Sequence, residues 1–145
     1  MKNLGKVLKL YISKDSYDGR INQSEVGLDK NGVAADKFYG KDIKKSILLT
    51  SINTYDLVKD NGIEIKEGEL GENILVDFNL DKLTIGSKFQ IGDNALLEIT
   101  QACTVCNSLS KIDKSLPKLL KKDRGIFAKV VKRGIIKEGD KIKCV

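Results

Sequence analysis

The sequence predicts a mainly β fold, a barrel or sandwich of short strands with a few short helices, and three observations carry that expectation. Lys6-Val7-Leu8-Lys9-Leu10-Tyr11-Ile12 puts Leu8, Leu10 and Ile12 on one face and Lys9 and Tyr11 on the other, the two-residue period of a half-buried strand. A device of the form apolar-x-x-Gly-polar-x-apolar recurs from Leu83 to Phe89, from Phe89 to Ala95 and from Ile136 to Ile142. Its pairs Gly86-Ser87, Gly92-Asp93 and Gly139-Asp140 supply the positive φ that tight connections between strands need. Against these stands only one clearly helical stretch.

The elements follow in order. Leu8 to Ile12 is the first strand. Ser13 to Ser24 is polar and aperiodic and is expected to be a loop, leading to Val26-Gly27-Leu28 and a turn near Asn31-Gly32. Ser46-Ile47-Leu48-Leu49-Thr50 is a short buried strand. From Ser51 or Asn53 to Asp60 a helix is expected, because Ile52, Tyr55, Leu57 and Val58 share a face, a capping residue precedes them and Asn61-Gly62 stops them. Gly68 and Gly71 bracket an acidic turn that enters a strand at Asn73-Ile74-Leu75-Val76-Asp77. Cys106 to Asp123 is a lysine-rich insert in which Leu116, Leu119 and Leu120 suggest a short helix beside Pro117, and Gly125 to Val131 and Lys141 to Val145 are closing strands.

With 145 residues, 41% of them apolar, one domain over residues 1–145 is expected, with a core built from Ile, Leu and Val. No apolar run approaches a membrane span, and the start Met-Lys-Asn-Leu-Gly-Lys-Val lacks the apolar stretch of a secretion signal, so the expected location is cytoplasmic. The net charge of +6 comes from lysines spread along the chain with few aromatics between them, so specific nucleic-acid binding is not expected. The absence of histidine excludes Ser-His-Asp, Cys-His and His-ligated zinc chemistry within the chain. Proton transfer falls to a carboxylate, Lys, Tyr, Cys or a cofactor.

Chemistry is concentrated at Ile99-Thr100-Gln101-Ala102-Cys103-Thr104-Val105-Cys106, where an apolar run ends in two of the chain's three cysteines. Thiolates are the strongest nucleophiles and soft-metal ligands among side chains. The spacing of Cys103 and Cys106 suits a redox pair, half of a zinc site, or one reactive thiol with a neighbour. Only Cys144 is left to add to a zinc site, and no long helix follows the pair to make it thioredoxin-like. Gly68-Glu69-Leu70-Gly71-Glu72-Asn73-Ile74 lacks the Lys-Ser/Thr ending of a phosphate loop, and its reading is a turn that places Glu72 or Asn73 at a pocket rim.

Taken in order, Gly32-Val33-Ala34-Ala35-Asp36-Lys37, Gly71-Glu72-Asn73-Ile74, Leu83 to Gly92-Asp93, Ile99-Thr100-Gln101 with Cys106, Gly125-Ile126-Phe127-Ala128-Lys129-Val130 and Gly139-Asp140 resemble the MOSC family, the molybdenum-cofactor sulfurase C-terminal domain, in its small stand-alone form. The family's usual Gly-Asp, often followed by Arg and His, reads Ala35-Asp36-Lys37-Phe38 here. The resemblance implies a MOSC-type β-barrel and a role with the molybdenum cofactor (molybdopterin), as its binder or as a carrier of sulfur on a cysteine persulfide. It places the characteristic cysteine at Cys106, as sulfur bearer or molybdenum ligand, and leaves Cys103 as an extra, whose expected role beside it is to resolve a persulfide or disulfide on Cys106. Asp36, Glu72, Asn73, Thr100, Gln101, Arg124 and Lys129 are the implied cofactor-binding residues, with Arg124 and Lys129 for the phosphate. Pyridoxal phosphate is not expected to bind this chain, so sulfur would come from a separate cysteine desulfurase. A molybdoenzyme or an electron-donor reductase are the other implied partners. A non-catalytic module that delivers cofactor, and a component of a molybdenum-dependent reductase of N-hydroxylated compounds, are the alternative functions.

Overall fold

The computed structural model describes residues 1–15, 17–103, 107–121 and 123–145. The strands are β1 (Lys2–Lys14), β2 (Tyr17–Gln23), β3 (Glu25–Asp29), β4 (Gly32–Val33), β5 (Ile47–Ser51), β6 (Ile74–Val76), β7 (Lys88–Ile91), β8 (Ala95–Ala102), β9 (Ile126–Lys132), β10 (Gly134–Lys137) and β11 (Lys141–Cys144). Helix α1 spans Ile52–Asp60 and helix α2 spans Leu116–Leu119, with single 3-10 turns at Ile43–Lys45, Leu80–Lys82 and Asn107–Lys111. The order β11-β7-β8-β9-β5-β6-β1 closes on itself because β1 also pairs with β11, giving a seven-stranded barrel to which β2 is attached through β1. A small sheet, β10-β3-β4, lies beside it. The mainly β, barrel expectation is therefore correct.

Pleat alternation sets the two cores. Leu10, Ile12, Ile47, Leu49, Ile74, Val76, Phe89, Ile91, Leu97, Ile99 and Ile142 fill the barrel. Leu75, between Ile74 and Val76 on β6, points the other way, into a second cluster with Tyr55 and Val58 of α1, Leu70, Leu109, Leu116 and Leu120. The helix reading holds: Ser51 caps α1 by accepting a hydrogen bond from the Asn53 amide at 3.1 Å, and Gly62 ends it at φ +76°. The lysine-rich insert folds its leucines onto this second core. No helix among the described residues is long and apolar enough to cross a membrane.

One element departs from the sequence reading. Ser13 to Ser24 is expected to be a loop, yet Tyr17–Gln23 is a strand paired with β1, with Ile21 opposite Ile12 and Asn22 opposite Tyr11. Pairing on only one side of the barrel wall leaves this strand with little apolar alternation to reveal it.

The turn after β4 holds Ala35 at φ +68°, the one non-glycine residue with positive φ among the described residues. A Cβ in that region costs about 1–2 kcal/mol, and glycine escapes it. Ala35→Gly is expected to raise stability by about 1 kcal/mol, read as a higher midpoint in denaturant at unchanged slope; a lower midpoint would show that the turn is not strained.

Candidate functional site

Where β1 ends, three neighbouring segments converge on it. The Ser13 amide donates to Asp36 Oδ1 at 2.7 Å, and the Phe38 amide donates to Asp36 Oδ2 at 3.1 Å. Both oxygens of this buried carboxylate are thus taken up, Oδ1 in tying the 36–46 segment to β1 and Oδ2 in holding that segment's own turn. Arg20 on β2 donates through Nη1 to the Ser13 hydroxyl and lies 3.8 Å from Asp36 Oδ1. Asn73, immediately before β6, closes the seam between β5 and β1 with its side chain: Oδ1 accepts from the Leu48 amide at 3.0 Å and Nδ2 donates to the Tyr11 carbonyl at 3.3 Å.

These residues border a cavity of about 360 Å³ lined by Arg20, Asp36, Phe38, Lys41, Asp42, Lys45, Ser46, Leu48, Gly71, Asn73, Cys103, Arg124 and Phe127. Its chemistry is cationic and aromatic. Phe38 lies under the Lys37 ammonium at 5.1 Å and the Arg20 guanidinium at 5.9 Å, and Lys45 lies 5.9 Å over Phe127. Asp42 is engaged with the Lys44 amide at 3.1 Å as the cap of a 3-10 turn.

Arg124 is the feature that stands out. It is only 7% exposed, and its Nε and Nη1 are buried without a hydrogen-bond partner among the described residues. Its backbone is held fast: the Thr54 hydroxyl of α1 donates to the Asp123 carbonyl at 2.9 Å, and Thr50 Oγ1 lies 3.5 Å from the Arg124 carbonyl. A Cβ at Gly71 would stand 3.2 Å from Arg20 Nη2 and 3.6 Å from Arg124 Nη2, so two guanidiniums share the place that a side chain there would fill. Burial pulls the Arg20 pKa below its usual value, with the like charge of Arg124 adding to the effect and Asp36 and Glu72 opposing it. One buried and one part-buried guanidinium, with one engaged carboxylate beside them, make an arrangement that could receive an anion.

Glu72 sits between two lining residues but sends its fully buried carboxylate into the second core. Tyr55 Oη donates to it at 2.7 Å, the Gly68 amide reaches it at 3.0 Å, and Tyr55 Oη also accepts from the Gly68 and Leu70 amides at 2.9 and 3.2 Å. This network fixes the turn that presents Gly71 to the arginines. Burial pushes the Glu72 pKa up, opposed by the Tyr55 and Gly68 hydrogen bonds and by the charge of Arg124.

Of the residues implied by the sequence, Asp36, Asn73, Cys103 and Arg124 are brought together around one cavity. Thr100 Oγ1 donates to the Lys44 carbonyl and bridges β8 to the segment carrying Lys45, while Gln101 is half-buried opposite Phe127 in the β8–β9 ladder. Lys129 does not line the cavity; its Nζ is 3.7 Å from Glu98. Cys106 lies outside the described residues. Among the described residues no group of three or more Cys, Asp or Glu is placed to hold a metal ion. Sequence reasoning missed Arg20, Phe38, Lys45 and Phe127. The available signal for the first was scarcity, since Arg20, Arg124 and Arg133 are the only arginines among 26 basic residues, and two of the three meet here.

A second cavity of about 300 Å³ lies at the start of α1, lined among others by Ser51, Thr54, Asp81, Ala102, Asp123, Gly125 and Ile126. Of the 102–103 and 123–127 segments, Ala102, Asp123, Gly125 and Ile126 thus line this cavity, and Cys103, Arg124 and Phe127 the first.

A family model described as MOSC domain matches residues 28–143. The fold is similar to the crystal structure of the YuaD protein from Bacillus subtilis, with a TM-score of 0.80 and 19% identity over 97% of this chain and 94% of that one. It is similar also to YiiM from Geobacillus stearothermophilus, with a TM-score of 0.71 and 17% identity over 99% and 74% of the two chains. For YiiM from Escherichia coli the TM-score is 0.70, at 16% identity over 97% and 69%. These likenesses are of fold. No curated protein gives a significant match.

Two predictions follow from the cavity's supports. Asn73→Ala removes both side-chain bonds of the β5–β1 seam and leaves the Leu48 amide and Tyr11 carbonyl buried; a loss of about 3 kcal/mol in unfolding free energy is expected, and a loss below about 1 kcal/mol would remove Asn73 from this role. Because the folded-state pKa of Glu72 lies above 4.5, its stabilising contribution is complete below that pH and is lost as pH rises through the folded value. Melting temperatures of Glu72→Gln and the wild type should therefore diverge in the variant's favour as pH rises from the acid side; a constant difference would contradict the shift.

Proposed function

The chain belongs to the MOSC domain family, a family associated with the molybdenum cofactor, and we propose that its cavity binds that cofactor by the phosphate while Cys106 carries sulfur. The observation that supports this most is the buried Arg124 guanidinium, two of whose nitrogens have no partner among the described residues, beside Arg20. Planar N–H forks match phosphate oxygens pairwise, and a dianion would satisfy the orphaned donors and separate the two like charges. Gly71 has no side chain between the guanidiniums, so the phosphate would have its backbone as floor. Phe38 and Phe127 offer flat faces for the pterin, and Lys41 and Lys45 add positive charge. Bound there, the cofactor would supply a molybdenum centre for oxygen- or sulfur-transfer chemistry.

This chain's own chemistry is sulfur carriage. A Cys106 thiolate attacks the outer sulfur of a cysteine persulfide on a separate desulfurase; a new S–S bond forms, the donor's S–S bond breaks, and the donor leaves as thiolate, with no further oxidant or reductant. Cys106 takes this role on the sequence pattern that places it after Thr100-Gln101 and before a short helical insert. Asp36, Asn73 and Glu72 act as supports of the site, each through the hydrogen bonds described above. A molybdoenzyme accepting the loaded cofactor, or a reductase supplying electrons to it, would be the remaining partner.

The test is intact mass and metal analysis of purified protein after incubation with desulfurase plus cysteine, and separately with molybdenum cofactor. A reductant-sensitive gain of one sulfur that is lost in Cys106→Ala, together with molybdenum retention weakened about tenfold or more in Arg124→Gln, is expected. Cofactor retention indifferent to Cys106→Ala and no sulfur gain would favour a delivery module. The absence of both signals would overturn the proposal.

A further inference from the structure

We infer that Cys103 is a second sulfur acceptor whose donors are small anionic persulfides gripped by Arg124 and Arg20. The inference rests on the reading of this cavity as an anion site. The Cys103 amide donates to the Gly125 carbonyl at 2.9 Å, which continues the β8–β9 ladder one step beyond the Ala102–Ile126 pair and sets Cys103 beside Arg124. Both residues line the cavity, and Cys103 is half-buried there. Arg124 is more than nine-tenths buried, lines the same cavity as the sulfur and has two nitrogens without a partner among the described residues, so an anion bound beside it would offset its buried charge.

The charge lining the cavity is mainly positive. Arg20, Arg124, Lys41 and Lys45 line the cavity against Asp36 and Asp42, and both carboxylates already accept backbone amides. Cations around a partly accessible thiol stabilise the ionised form and draw in anionic partners. A volume of about 360 Å³ suits a small molecule, with its carboxylate on the guanidiniums and its apolar part against Phe38 or Phe127. In the step itself the Cys103 thiolate attacks the outer sulfur of the donor persulfide. One S–S bond forms as another breaks, the donor departs as thiolate, and the sulfane sulfur remains on Cys103.

The experiment uses the full chain in a Cys106→Ser/Cys144→Ser background, where Cys103 is the one cysteine. Thiol exchange is timed with a dianionic aromatic disulfide, dithiobis-nitrobenzoate, and with neutral dithiodipyridine. The ratio of the two rates should fall about tenfold in Arg124→Gln, and inorganic phosphate should slow the dianion selectively. Arg20→Gln, at a more exposed position, should lower the same ratio and serves if Arg124→Gln does not fold. Incubation with glutathione persulfide should add one sulfur to this background and none once Cys103→Ser is included. A ratio unchanged by both arginine variants, or no sulfur gained at Cys103, overturns the inference. Calorimetry of inorganic phosphate with Cys103→Ser separates the two readings: phosphate bound through Arg124 beside a charge-blind Cys103 sinks this inference and leaves the cofactor proposal standing.

Discussion

Closing a seven-stranded ring obliges β1 to change neighbours along its length, and the site is a product of that obligation. Its first residues pair with β11, its middle with β6 and its last with β2, with the register shifting between Asn3 and Gly5, between Val7 and Lys9 and between Ile12 and Lys14. Each shift bends the strand around the barrel and frees backbone groups from the ladder. At its far end those groups are claimed by side chains: the Tyr11 carbonyl by Asn73 and the Ser13 amide by Asp36, while Arg20 donates to the Ser13 hydroxyl. The cavity is thus assembled from the hydrogen bonds that terminate a strand, and its polar residues are mostly consumed in building it.

That economy explains the character of what is left over. Asp36, Asn73 and Glu72 are conspicuous polar residues, yet each has its hydrogen-bonding capacity committed to backbone or to Tyr55. Among the described residues the buried donors without a partner are on Arg124, whose main chain is engaged by Thr50 and Thr54. A guanidinium cannot shed its proton to escape burial, so the cost of its desolvation stays in the fold until an anion offsets it. On the proposed reading stability and binding would be coupled: an anion bound beside Arg124 would also relieve the folded chain.

Much of this was visible in the sequence where local physics decides. The strand over Leu8 to Ile12, the Ser51 cap of α1, and the Gly-polar pairs before and after β7 all report short-range constraints and led to the mainly β barrel, but the expected shared face of Leu8, Leu10 and Ile12 is corrected: the register shift between Val7 and Lys9 leaves Leu10 and Ile12 in the barrel and packs Leu8 against the second core. The turn Gly71-Glu72-Asn73 was recognisable too, but sequence order cannot say which of its neighbours faces a cavity and which a core; the pleat assigns Gly71 and Asn73 to one and Glu72 to the other. Arg20 was illegible for a different reason. It lies in a strand paired only through β1, where no hydrophobic period forms, and its meeting with Arg124 depends on contacts across the whole chain. Lys129, adjacent to a buried alanine in β9, pairs with Glu98 across the ladder, a choice made by register.

The partition between the two cavities is a single thickness of main chain, and consecutive residues at its edge carry opposite signs: Asp123 belongs to one side and Arg124 to the other. Asp81 adds to the negative side, and Arg20, Lys41 and Lys45, against Asp36 and Asp42, leave the other side with an excess of positive charge. The wall is therefore polarised like the plates of a small capacitor. An anion approaching the molecule finds one mouth attractive and the other repellent, so a charged molecule of either sign is sorted to a face before any shape is recognised.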